Sequence, residues 1–469
     1  MILRAILCAS AILSACCLPC AAGESLDSPP YFDEVVARGN AAVPGLITAL
    51  GGPQAQWAAA ALGRIGGPAA AKALLPHAAA KDGEVRAAVA WALGQSGDSS
   101  AVQPLMKLPG DEYPPARAAA MWALGRLGDQ AAASALRSGA GDADRNVRLA
   151  AVRGISEGKQ PAFLAILAPR LDHEVRWEPE EQDDEDPEKP PVLVEKVHWA
   201  EPDTAVRLAV VQALGNLGVV DAVPALIFAM ERETSFNRLE IVKTIESFGP
   251  RVSGVCLGRI VPTPYDEEAF KKRMPLLVTN GTLAVIAGRL GDERCVPALL
   301  KTLELPRGDL GRDKDLTELY IDTVKLLGKF RVERAARPMA ALLKETRVDQ
   351  MSAALQAALA SIGRPAARPL ARNAADWRLA PIFLPLLRRP ELRTATARDT
   401  LMKFLAHESD EVRRQATETV GLYIFEGILN HYDIPLLTAM YLDPDRSVRQ
   451  ICAKWKKKIA ERFGEGAVK

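Results

Sequence analysis

The chain has 469 residues, 59 basic and 58 acidic, with a formal net charge of +1 and 5% aromatic residues. So even a balance lacks the electrostatic footprint of a nucleic-acid binder, and no nucleic-acid partner is expected. Length alone would predict about three globular domains, but a repeat of 31 residues runs through the chain and predicts one elongated body instead.

In chain order, the first segment stands apart. Met1–Arg4 supplies one positive charge, Ala5–Leu13 is apolar and small residues follow, which is the order of a secretory signal and too short for a stable membrane span. Its end, Leu13–Ser14–Ala15–Cys16, resembles the bacterial lipobox. That resemblance implies cleavage before Cys16, acylation of Cys16 and a membrane anchor, since several acyl chains hold where one alone is marginal. Cys17, where the family's sorting rule would read an aspartate, points to the outer membrane. The alternative is ordinary cleavage near Cys20–Ala21–Ala22, releasing an unanchored protein. Either way the protein is expected to be exported to the cell envelope, on the periplasmic or outer-membrane side rather than in the cytoplasm.

The repeats follow. Arg86, Arg117 and Arg148 are spaced by 31 residues, and Arg207 and Arg238 share that interval. Each repeat reads as two helices. Helix A opens at an aspartate, as in Asp82-x-x-x-Arg86, Asp144-x-x-x-Arg148, Asp203-x-x-x-Arg207 and Asp445-x-x-x-Arg449, where the carboxylate can cap the first turn and the arginine sits one turn on. It ends at glycine, as in Gly94–Gln95–Ser96–Gly97 and Gly125–Arg126–Leu127–Gly128. Helix B carries an early proline, as in Val223–Pro224–Ala225–Leu226 and Val296–Pro297–Ala298–Leu299, tolerated because the first turn has no use for its N–H.

This pattern resembles HEAT repeats, specifically the HEAT-like class of phycobilin lyases, over most of residues 29–463. The resemblance implies an all-α solenoid of about twelve antiparallel helix pairs, informative for fold and poor for function. The first pair shows only the helix B signature Val43–Pro44–Gly45–Leu46 and reads as a cap. After Gly249 the period lengthens, with loops expected at Val261 to Lys272 and Leu305 to Asp315. The helix from Ser447 to Arg462 reads as a polar C-terminal cap. The expected organisation is signal 1–15, tether 16–28, repeats 29–171, insertion 172–202, repeats 203–445, and capping helix and tail 446–469.

The insertion interrupts the pattern. Arg148 and Arg207 are 59 residues apart, close to two periods, so a repeat is due around 172–202. It begins at Asp172–His173–Glu174–Val175–Arg176 and fails at Trp177–Glu178–Pro179. Eight carboxylates fall between Glu178 and Glu188, with Pro187, Pro190 and Pro191 excluding a helix. The alternating flanks read as an extruded loop or a β-hairpin with an acidic tip.

Candidate binding residues lie where the pattern departs from itself. Glu180, Glu181, Asp183, Asp184, Glu185 and Asp186 in the acidic tip, with Trp177 and Trp199 at its flanks, could dock a basic partner, hold divalent cations loosely (the pattern of a tight calcium loop is absent) or stay solvated. Trp91 and Trp122 occupy a helix A position held by Arg153 and Gln212 in later repeats, opposite Val85, Val89 and Leu93. They form an exposed aromatic stripe, or pack against the N-terminal tail (residues 17–30) or on neighbouring side chains. The repeated arginines could form an anion-binding ladder, but each has an aspartate four residues earlier in most repeats, and stacked Asp–Arg pairs bracing adjacent helices are expected instead. From Lys329 to Lys403, 15 Lys/Arg face 6 Asp/Glu, including Arg364, Arg368, Arg372, Arg378, Arg388, Arg389, Arg393 and Arg398. That segment could receive an acidic partner, anionic headgroups or cell-wall polymer, or could reflect only the proteome's arginine usage.

No Gly-x-Ser-x-Gly, phosphate-loop, dinucleotide or His-Glu-x-x-His motif occurs, and no cofactor or metal is expected. His173–Glu174 and His407–Glu408 are similar to the pairs of deoxyhypusine hydroxylases, but precede the helix start where that family places them inside helix A. Cys256, Cys295 and Cys452 are too few for a framework, and buried free thiols are expected. The leading reading is a non-enzymatic, envelope-anchored scaffold that binds protein partners along the solenoid. The alternatives are an accessory factor related to chromophore lyases and a structural lipoprotein contacting anionic cell-wall or surface polymer.

Overall fold

In a computed structural model of the chain, residues 32–179, 193–233, 235–261, 267–305, 313–346, 348–374, 380–430 and 433–465 are described. Cys16, the acidic residues Glu180, Glu181, Asp183, Asp184, Glu185 and Asp186, and Arg378 lie outside them. The fold is an all-α solenoid, and its residues group into two compact units, the first ending at Val252 and the second starting at Ser253.

The first unit contains the pairs α1 (Phe32–Ala37) and α2 (Val43–Ala49), α3 (Ala55–Ile65) and α4 (Gly67–Leu74), α5 (Gly83–Ser96) and α6 (Val102–Leu105), α7 (Pro114–Leu127) and α8 (Ala133–Gly139), and α9 (Arg145–Gly158) and α10 (Leu164–Leu167). After a two-stranded insertion come α11 (Thr204–Leu217) and α12 (Val223–Met230), then the helix A α13 (Ser235–Ser247). Helices A stack on one another in order, α3 on α5, α5 on α7, α7 on α9, α9 on α11 and α11 on α13. Their starts follow the expected chemistry. Asp82 accepts from the Glu84 N–H, Asp144 from Asn146 and Val147, and Asp203 from Ala205 and Val206, which satisfies amides that have no carbonyl partner in the first turn.

The two glycines at the end of helix A have different tasks. Gly97, Gly128 and Gly218 take the left-handed conformation (φ 71°, 69° and 66°) and stop the helix. The preceding Gly94 and Gly125 lie within helices α5 and α7 and allow close approach. A Cβ on Gly94 would lie 2.7 Å from the Ala123 Cβ, and one on Gly125 would lie 2.5 Å from the Gly154 carbonyl carbon. The Leu-Gly signature is therefore a packing requirement between successive helices A, and the stop comes three residues later.

The insertion is a β-hairpin. β1 (His173–Pro179) pairs antiparallel with β2 (Leu193–Trp199), in register from His173 opposite Trp199 to Pro179 opposite Leu193. At its neck the Ala200 N–H donates to the Asp172 carbonyl (2.9 Å). No repeat is missing, contrary to the expectation from spacing. Removing residues 173–200, which are 28, from the 59 that separate Arg148 and Arg207 leaves 31, one ordinary period. The hairpin is spliced into the loop between helix B of one repeat and helix A of the next.

The second unit opens with helix B α14 (Ser253–Gly258). It continues through the pairs α15 (Glu267–Arg289) and α16 (Val296–Thr302), α17 (Lys314–Lys329) and α18 (Ala336–Glu345), α19 (Asp349–Ile362) and α20 (Arg364–Ala374), α21 (Ala380–Leu387) and α22 (Arg398–Leu405), and α23 (Asp410–Phe425) and α24 (Ile434–Ala439). It ends on α25 (Arg446–Phe463). The loop expected up to Lys272 ends sooner, because α15 already begins at Glu267. One continuous apolar core runs from Val278 to Ile459 and encloses Tyr320, Phe383 and Tyr423. Among the described residues no helix is long and apolar enough to cross a membrane.

Candidate binding surfaces

The periodic arginines form a ladder, but not with the aspartates four residues earlier, which are occupied as helix caps. Arg86 grips Asp111 through Nε and Nη2 (2.7 Å each), and Arg117 grips Asp142 (3.0 and 3.2 Å). Arg148 grips Glu201 (3.0 Å through Nε and Nη2) and Arg207 pairs with Glu233. Each partner sits at the start of the next repeat. Meanwhile Nη1 of each arginine donates to the loop before its own helix: Arg117 to the Asp111 carbonyl (2.8 Å), Arg148 to that of Asp142 (3.0 Å) and Arg207 to that of Glu201 (3.0 Å). One acid thus takes the previous arginine on its side chain and the next on its carbonyl. In the second unit Arg413 holds Asp443 (2.6 Å), whose carbonyl accepts from Arg449 (2.6 Å).

The rungs are sheltered. Glu201 is fully buried and Arg207 is 5% exposed. The Arg86 guanidinium holds the Asp111 carboxyl below the usual range. At Asp142 and Asp443 burial pushes upward, but the facing arginines and backbone amides leave both below it. Bidentate Arg–carboxylate geometry combines charge with direction. These arginines hold repeats together and leave no anion-binding row.

The hairpin neck is built around Arg207. Its guanidinium lies 4.5 Å from the Trp199 ring centroid; Trp199 tilts against His173 at 4.8 Å, and His173 stacks on Phe228 at 4.3 Å. Trp199 is therefore an anchor of the hairpin on helix α11 through Arg207, with His173 carrying the contact on to α12, and not a free contact residue. The His173 Nδ1 is buried without a hydrogen-bond partner, and burial, reinforced by Arg232, lowers the His173 pKa. Beyond the neck, one strand face carries Glu174 paired with Arg176 (2.6 Å) and Glu178 paired with His198 (2.7 Å). Trp177 stands opposite Glu195 in the register.

Trp91 and Trp122 come together as the period requires, with ring centroids 6.2 Å apart and planes 18° apart. The exposed stripe is absent, however: Trp122 is 8% exposed and Trp91 half-buried. The Trp122 ring covers Gly94, where an added Cβ would come within 2.8 Å of it, and its indole N–H donates to Glu157 (3.1 Å), which also pairs with Arg126 (2.8 Å). Trp455 repeats this arrangement over Gly421 with its N–H on Glu418 (2.9 Å). A ring seated in a glycine notch, with its one donor satisfied, is packing.

The basic segment divides. Arg388 is half-buried and donates to Gln415 (2.7 Å), Arg393 pairs with Glu426, and Arg398 holds the buried Asp433. Arg389 is exposed. Arg364, Arg368 and Arg372 line the exposed side of α20, whose other side buries Ala366, Ala367, Leu370, Ala371 and Ala374. None of the three arginines makes an ion pair or side-chain hydrogen bond among the described residues. Burial raises the thiols of Cys256, Cys295 and Cys452 to about 11, and all three are free. Among the described residues no group of three metal-ligating side chains forms, and His407 accepts from the Ser409 N–H (3.0 Å) ahead of α23.

The ladder acids were missed from sequence, although they carry a signal. Asp111, Asp142, Glu201 and Asp443 each stand six residues before the arginine of their own repeat. In three repeats this gives acid-x-Asp: Asp142–Ala143–Asp144, Glu201–Pro202–Asp203 and Asp443–Pro444–Asp445. The first acid ties the repeats, and the second caps the helix.

A HEAT-repeat family profile matches residues 44–113 and 107–181, and a profile of PBS lyase HEAT-like repeats matches residues 206–232. A search by sequence among curated proteins finds no match. Similar solved structures include the complex of CpcE and CpcF of phycocyanin lyase from Nostoc sp. PCC7120, 21% identical, covering 55% of this chain and 94% of that chain with a TM-score of 0.28. A Kap121p mutant is 13% identical over 94% of this chain and 51% of that one, with a TM-score of 0.41. Importin beta is 14% identical over 92% and 56%, with a TM-score of 0.30. The chain thus spans about half the length of these last two.

Proposed function

From its standing as a HEAT-repeat protein, we propose that this chain is a non-enzymatic scaffold of the bacterial cell envelope, anchored through Cys16 and binding one or more proteins along its helix B surface. The observation that carries this reading is the division of labour among its side chains. The periodic arginines of helix A and Trp122 are consumed by contacts between repeats, whereas the arginines on the outer side of α20 make no ion pair or side-chain hydrogen bond among the described residues. Stacked helices B give an extended surface suited to a long partner. The buried thiols, raised to about 11, are poor nucleophiles and poor metal ligands.

Crosslinking in intact cells followed by purification of the full chain tests the reading. The expected result is a small, reproducible set of protein partners, lost when the helix B surface is altered; recovery of glycan or lipid alone would replace the scaffold with a structural lipoprotein. The anchor has its own test. Cys16→Ser is expected to move the protein from the membrane to the soluble fraction, and unmodified residues after Ala22 at the mature N-terminus would remove the anchor.

A further inference from the structure

We propose that the outer face of α20, extended by α18, is a docking strip for an extended acidic polypeptide segment whose carboxylates are received by Arg364, Arg368 and Arg372. This deepens the scaffold reading and rests on it. The three arginines recur every fourth residue along an 11-residue helix, so their stems are about 6 Å apart along the axis. Side chains on one face of an extended strand recur every 6.6 to 6.8 Å, roughly. A peptide with acids at alternate positions therefore meets successive guanidiniums nearly in step, and the planar fork of arginine suits each carboxylate.

The face is prepared for such a partner. Helix α20 contains no acidic residue, so nothing on the helix itself competes for the three guanidiniums. Helix α18 packs alongside and adds the exposed Arg337. The arginines that tie elements together are held: by Asp111, Asp142, Glu201 and Glu233 in the first unit, and by Glu426, Asp433 and Asp443 in the second. Other exposed arginines, such as Arg64 and Arg137, also make no ion pair among the described residues, but the strip sets three of them in one row on a single helix.

Its surroundings favour a peptide over a membrane. A helix that lies in a lipid interface sets large apolar side chains beside its cations. The exposed large apolar residues of this chain include Ile47, Leu239, Ile382, Leu436 and Leu442, and none lies on α18 or α20. Single-stranded nucleic acid would call for aromatic platforms, and neither helix carries an aromatic residue.

The test uses the full chain and two fluorescent peptides of equal composition, one alternating Glu and Ser, the other with its Glu residues contiguous, beside vesicles containing an anionic phospholipid. The alternating peptide is expected to bind more tightly, with an affinity that falls steeply with salt. R364Q/R368Q/R372Q should weaken it by about 10-fold to 100-fold while leaving the thermal midpoint unchanged, and the corresponding triple lysine variant should recover only part of the loss. Equal binding by wild type and the glutamine variant, equal binding of both peptides, or binding to vesicles but not peptide would each overturn the strip. Partners crosslinked in cells and retained by the glutamine variant would overturn the strip while leaving the scaffold standing. Peptide binding without any cellular partner would uphold the strip and sink the scaffold.

Discussion

Arg148 and Glu201 are 53 residues apart, yet they make the contact that joins Arg86 to Asp111 across 25 residues. The difference is the 28-residue insertion 173–200, so the ladder passes beneath the hairpin as if it were absent. Deleting residues 173–200 should therefore preserve the helical fold. The cost is the loss of His173 and Trp199 from Phe228 and Arg207, about 1–3 kcal/mol from ring stacking and the cation–ring contact. Circular dichroism and urea unfolding would show an intact but weakened protein, and loss of folding would show that the hairpin is integral.

Glu201 is fully buried between Arg148 (3.0 Å) and Arg170 (3.1 Å). Glu201→Ala strands two guanidiniums and should cost about 3–5 kcal/mol. Lys457→Ala, at an ion pair whose side chains are 81% and 63% exposed, should change stability by less than about 0.5 kcal/mol. Equal effects in chemical denaturation would contradict the ladder's structural role.

Gly94→Ala tests the notch under Trp122. In an open helix this change stabilises by roughly 0.5–1 kcal/mol. Here the new methyl would meet the Ala123 Cβ at 2.7 Å and the Trp122 ring at 2.8 Å, so destabilisation is expected. Trp122→Ala should cost about 3–5 kcal/mol. Thermal melting of both variants checks the direction.

Acid should loosen the ladder. Asp111, Asp142 and Asp443 have folded pKa values below their unfolded ones. Their contribution is complete above the unfolded value of about 3.9 and is lost as pH falls through the folded values. The ladder's share of the stability, read as the difference between wild type and D111N, should hold down to about pH 4 and decline below it.

His173 gives a second pH signature. Its folded pKa lies below the ordinary value of 6.5, because burial disfavours the imidazolium and Arg232 adds repulsion. The unfolded chain therefore takes up that proton first, and stability falls as pH drops from about 6.5 toward the folded value. The His173 ring resonances in NMR should titrate below 6.5, and F228A should bring them back toward it.

Much of this was legible in the sequence. Asp82, Asp144 and Asp203 announced helix starts because capping is local, and the alternating flanks announced the hairpin for the same reason. The expected alternative of packing on neighbours was realised for Trp122, whose fate depended on the glycine of the preceding repeat. Partners of the arginines could not be read from within one helix, since an acid at i−4 and an acid in the next loop both satisfy charge. The spacing of 59 was ambiguous between two short periods and one period with an insertion, and the Asp172–Ala200 neck resolves it.

The doubly held loops decide where the first unit can yield. Asp111, Asp142 and Glu201 are each fastened from the repeat before and the repeat after, and helices A meet at glycine with no slack between backbones. Compliance is thereby displaced to the turns between helix A and helix B, at Gly97, Gly128 and Gly218. Under load such a stack is expected to behave as a spine whose joints between helices A are fused, with shape adjustment to a bound partner expected in the tilt of helices B.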